Sequence, residues 1–94
     1  MREYKFKESQ NTACFTCKHV LDGNADILYV SHDEDDGGWQ FLCGDEHIGS
    51  DARIVGLGEI VSLHTEINYL FEMPLGVFAE RSDSKSAWEF YKNS

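Results

Sequence analysis

The stretch WQFLCGDEH, residues 39–47, sets a run of strand-forming residues against an abrupt stop: a cysteine, a glycine, two acids and a histidine. Side chains alternate across a strand. Trp39, Phe41 and Cys43 therefore share one face and Gln40 and Leu42 the other, which sets the thiol beside aromatic packing. Upstream, DILYVSH (26–32) is β-branched and aromatic enough for a second strand, and DEDDGG (33–38) breaks it. Ile27 to His32 and Trp39 to Cys43 thus read as an antiparallel hairpin across a six-residue acidic loop.

Outward from the hairpin, the two halves of the chain carry different periods. On the N-terminal side, ACFTC (13–17) reads as either a short strand or a metal knuckle, and EYKFKES (3–9) as an edge strand or an ordered arm. On the C-terminal side, Leu57, Ile60, Val61 and His64 recur at helical spacing; Gly56 and Gly58 weaken the start, leaving a short helix around Glu59 to Leu63. A clearer helix over Thr65 to Glu72 places Ile67, Leu70 and Phe71 on one face, with His64 or Thr65 as its cap and Pro74 and Gly76 as its stop. GVFAERS (76–82) and AWEFYK (87–92) read as two further strands. The switch from period two to period 3.6 predicts an α+β fold: a small antiparallel sheet with one or two short helices on one face. Trp39, Phe41, Leu70 and Phe71 are the expected core. The expected organisation is an arm or edge strand over residues 1–12 and a single domain over 13–94.

The 94 residues suit one domain, and so short a chain buries only roughly 60 to 65% of its unfolded surface. Marginal burial is a physical motive for recruiting a metal ion. No segment approaches the length of a membrane span and no apolar leader opens the chain, so a cytoplasmic protein is expected. Seventeen acidic against eight basic side chains leave a net charge of −9. Phosphate backbones repel such a surface, which argues against nucleic acid and leaves a basic protein as the partner the field would favour.

Three cysteines cannot close a disulfide framework, and their spacing carries the main chemical signal. Cys14 and Cys17 form C-x2-C; after 25 residues, Cys43 and His47 form C-x3-H. Three thiolates and an imidazole suit a borderline-soft ion, so Zn²⁺ held by Cys14, Cys17, Cys43 and His47 is the expected cofactor. His19 and His32 are the rival imidazoles. A redox reading of Cys14 and Cys17 competes with the metal, although KHVLDG leaves little room for the helix such a motif needs. The acidic run from Asp33 fails as an EF-hand, because the twelfth position is Gly44 rather than glutamate.

Gly38, Trp39, Phe41, Gly44, Asp45 and Glu46 form a Gly-Trp-x-Phe-x-x-Gly-Asp-Glu string, followed by a Pro-x-Gly segment at Pro74 and Gly76, then Ala79, Arg81 and a late Trp88. This pattern resembles a family of small bacterial proteins of unknown function grouped with immunity proteins of polymorphic toxin systems. The resemblance spans about Ala13 to Trp88 and implies an α+β domain with a curved antiparallel sheet, no catalytic residues and a toxin-type protein partner. The family commonly carries a serine-like residue at the position of Cys43 and lacks the C-x2-C, so this chain resembles a cysteine-bearing branch. A non-enzymatic, protein-binding zinc domain is the expected function. A small redox-active or zinc-dependent enzyme, using Cys14 and Cys17 or an open metal position, is the alternative.

Overall fold

β-Branched and aromatic residues form the central hairpin and the two C-terminal strands where the alternation predicts them. The computed structural model describes residues 4–23, 25–35, 37–43 and 52–92. Strands β2 (Tyr29–His32) and β3 (Trp39–Leu42) make the antiparallel hairpin, with Val30 opposite Phe41 and His32 opposite Trp39. Gly37 takes φ +72 in its loop, a left-handed conformation that glycine adopts without strain. ACFTC is a strand, β1 (Ala13–Cys17), not a knuckle. It continues directly into a four-residue helix, α1 (Lys18–Leu21).

Two elements were not legible in advance: α1 and the strand β4 (Ala52–Gly56). Helix α2 (Leu57–Leu63) follows β4 without a loop, then a 3₁₀ helix (Thr65–Leu70), then β5 (Val77–Glu80) and β6 (Glu89–Lys92). The segment expected as an α-helix to Glu72 is thus a tighter and shorter 3₁₀ turn, and neither His64 nor Thr65 caps it through a side chain. Gly76, at φ +80, makes the turn into β5; a Cβ there would meet Glu34 Oε2 at 2.7 Å.

The six strands form one sheet in the order β4-β1-β3-β2-β5-β6. Four of its neighbours pair antiparallel, but β1 and β3 run parallel, with Phe15 level with Gln40 and Thr16 with Phe41. The buried Thr16 hydroxyl donates to Phe41 C=O at 2.7 Å and ties these two strands together. Both helices and the 3₁₀ turn cover one face of the sheet. Val20, Leu57, Ile60, Val61, Ile67 and Leu70 join Cys14, Val30, Trp39, Phe41 and Ala79 in a single buried cluster.

The aromatic centre of the core is tighter than the sequence implies. Trp39 stacks on His32 at 4.0 Å and on Phe41 at 5.8 Å, and Phe6 meets Trp39 edge-on at 4.9 Å. Residues before β1 thus act as an arm that inserts Phe6 into the core. Phe71 corrects the expected core: it is 36% exposed, because the 3₁₀ turn ends at Leu70 and releases the next side chain to the surface. The two phenylalanines should therefore respond oppositely to truncation. Phe6→Ala is expected to cost about 3 kcal/mol or more and Phe71→Ala less than about 1 kcal/mol, read as shifts in the urea midpoint. Equal effects would show that the arm does not contribute to the core.

Candidate metal centre

The parallel pairing of β1 and β3 decides what meets what. Strands that run side by side in the same direction finish at the same end of a sheet, so the residues following them converge. Cys17 is the last residue of β1, and Cys43 directly follows β3. Their Sγ atoms lie 3.6 Å apart, and both side chains are buried. At Cys17 the chain leaves an extended conformation (φ −120, ψ 160) and enters α1, and that bend swings His19 back over the strand end. His19 Nδ1 lies 3.9 Å from Cys43 Sγ. Among the described residues, Cys17, His19 and Cys43 form the group whose ligand atoms all lie within 4.8 Å of one another.

The 3.6 Å and 3.9 Å separations about Cys43 Sγ are of the size that a tetrahedral ion such as zinc needs. With Zn–S near 2.3 Å and Zn–N near 2.0–2.1 Å, the edges of a tetrahedron are about 3.8 Å between sulfurs and about 3.6 Å between sulfur and nitrogen. Softness agrees with geometry, since two thiols and an imidazole suit zinc and offer calcium or magnesium no oxygen. His19 sits at a half-buried rim beside two sulfurs sealed from solvent.

Cys14 does not join them. Three residues before Cys17 in an extended strand, it lies about 10 Å away along β1, outside the group that Cys17, His19 and Cys43 form. It is 2% exposed within the core beneath α2, opposite Val55 of β4. Burial, and then the charge of Glu59, push its thiol up from 9.0 to about 11. His32 is likewise excluded: Nδ1 donates to Met73 C=O at 2.8 Å, while Nε2 faces Glu8 Oε2 at 3.7 Å and the ring lies on Trp39. His47, and with it Asp45 and Glu46, lies outside the described residues.

The Cys14 shift has a sign that can be measured. Below pH 9 the thiol is protonated in folded and unfolded chains alike, and its contribution to stability is fully present. As pH rises from 9.0 toward 11, the unfolded chain ionises first, so the fold loses stability on the order of 2 kcal/mol. Urea midpoints of the unmodified protein and of Cys14→Ala should converge across that window. Parallel pH profiles for the two would contradict the assignment.

Two cavities, of about 540 and 380 Å³, lie on the side of the molecule that carries Lys5, Phe71, Met73 and Pro74. Neither is lined by Cys17, His19 or Cys43. Among the described residues no helix is long and apolar enough to cross a membrane. No protein-family model, curated protein or solved structure matches this chain.

Proposed function

We propose that the chain is a non-enzymatic domain that holds one Zn²⁺ through Cys17, His19 and Cys43 and acts by binding a protein partner. The observation that carries the metal is the convergence of two strand ends and one helical turn at tetrahedral spacing, 3.6 Å between the sulfurs and 3.9 Å from sulfur to imidazole. The ion would clamp β1, α1 and the segment after β3 to one another, which constrains a small fold whose core is modest. A structural role is supported by the 1% and 2% exposure of Cys17 and Cys43. Protein binding of the immunity type rests on the resemblance of the Gly38 to Glu46 string and on the charge of −9, which favours a basic partner.

A second reading draws on the same 3.6 Å separation. Two thiols at that distance can close to a disulfide when an oxidant takes up two electrons, so a redox role would use Cys17 and Cys43 rather than Cys14 and Cys17. Elemental analysis of protein purified without added metal separates the two readings: about one zinc per chain supports the metal, whereas metal-free protein that forms a Cys17 to Cys43 crosslink with diamide supports the dithiol.

A further inference from the structure

Among the described residues, the helices occupy one face of the sheet and none lies over the other. On the bare face a single row of side chains crosses all six strands at one level: Ile54, Phe15, Gln40, Ser31, Phe78 and Tyr91. Its β5–β6 end is aromatic. Tyr29 stacks on Phe78 at 5.6 Å and Phe78 on Tyr91 at 5.2 Å, with Tyr91 43% exposed.

At the next level of the same face, Glu80 of β5 stands directly opposite Glu89 of β6, and both are exposed. Like charges opposed across two strands oppose folding, since their Cβ atoms lie only about 5 Å apart. Among the described residues, no cation pairs with either carboxylate. The Tyr91 hydroxyl points at Glu89 Oε2, 3.5 Å away, and its pKa is raised by the charge of Glu89, by burial and by the charge of Glu80. A repulsive pair beside a row of stacked rings offers a cation both things it binds: carboxylates and π faces.

We infer that the bare face of β2, β5 and β6 is a docking surface for a basic protein partner, which places an arginine between Glu80 and Glu89 with its guanidinium against the Tyr29, Phe78 and Tyr91 rings. Arginine fits better than lysine, because its planar fork can bridge two carboxylates while lying flat on an aromatic ring. A second copy of this chain is a poor occupant, since it brings its own −9. The surface deepens the protein-binding reading and rests on it, but is independent of the zinc centre.

The test uses the whole protein, ¹⁵N-labelled, titrated with a blocked peptide of alternating leucine and arginine and with the same peptide carrying glutamate for arginine. Amide shifts are expected at Tyr29, Phe78, Glu80, Glu89 and Tyr91 with the arginine peptide alone. Glu80→Lys combined with Glu89→Lys should weaken binding about tenfold or more without lowering the melting temperature, because it removes both carboxylates from an exposed site. Shifts confined to the loop at Asp33 to Asp35 or to the helical side would overturn the surface while leaving a basic partner in place. No binding of the arginine peptide at millimolar concentration would overturn the basic-partner reading as well. Equal binding of the glutamate peptide, or concentration-dependent dimerisation that Phe78→Ala abolishes, would also sink the assignment.

Discussion

Cys43→Ser is expected to empty the protein of zinc and to lower its melting temperature by more than ten degrees. The unmodified chain, purified without added metal, should hold about one ion per molecule. A ligand present at a thousand times its dissociation constant stabilises the native state by about 4 kcal/mol, and each kcal/mol moves the transition of a domain this size by roughly 4 °C. Cys17→Ser should match Cys43→Ser, since the two sulfurs span one edge of the site. His19→Ala should lose zinc as well, with its half-buried ring making it the most replaceable of the three. Cys14→Ser is the informative control: it should retain stoichiometric zinc, because that thiol lies outside the group that Cys17, His19 and Cys43 form. Loss of zinc in Cys14→Ser with retention in His19→Ala would replace the site by one built on the C-x2-C. Zinc loss in His47→Ala would identify the fourth donor; retention would leave three protein ligands and an open position. Metal-free protein whose three thiols all react freely while folded would end the zinc reading.

Trp39→Ala should be the most damaging substitution in the core. Trp39 is 1% exposed, stacked between His32 and Phe41 and met edge-on by Phe6, and its Nε1–H donates to Glu8 Oε2 at 3.0 Å. Truncating a buried aromatic of this kind costs about 3 to 5 kcal/mol, against a total of roughly 5 to 14 kcal/mol for a domain of this length. The lost indole N–H adds to the cost, because among the described residues Glu8 Oε2 then faces the His32 ring alone and the buried Glu8 Oε1 has no hydrogen-bond partner. Trp39→Phe should recover most of the packing but not that hydrogen bond. Chemical denaturation reads both variants, and an unchanged midpoint for Trp39→Ala would show that the indole is not where the core is built.

Local residue pattern determined a good share of this protein. The period-two runs at Tyr29 to His32 and Trp39 to Leu42 specify a hairpin with Trp39 and Phe41 inward, and they form it. Val77 to Glu80 and Glu89 to Lys92 were legible for the same reason, as was helix around Glu59 to Leu63. The strand at Ala52 to Gly56 was not. Its burial is shallow and its outer residues, Ala52, Arg53 and Ile54, are all exposed, so no alternation marks it; its pairing with β1 gives it existence.

Cysteine and histidine identity pointed to a soft-metal chemistry, but only the tertiary structure shows which of the described residues come together as a group that could hold an ion. C-x2-C is a chelating unit when its backbone turns and a divided pair when it is extended, and no feature of residues 13–17 distinguishes the two. Strand pairing with β4 on one side and β3 on the other holds β1 extended, which sends Cys14 into the core and leaves Cys17 at the strand end. Direction then mattered as much as extension. Were β1 and β3 antiparallel, Cys17 and Cys43 would finish at opposite ends of the sheet; running parallel, they finish 3.6 Å apart. Parallel pairing is a contact between residues some 25 positions apart, set by the packing of Trp39, Phe41 and Thr16 against the helices rather than by any local preference, and that is why it is invisible until the chain has folded.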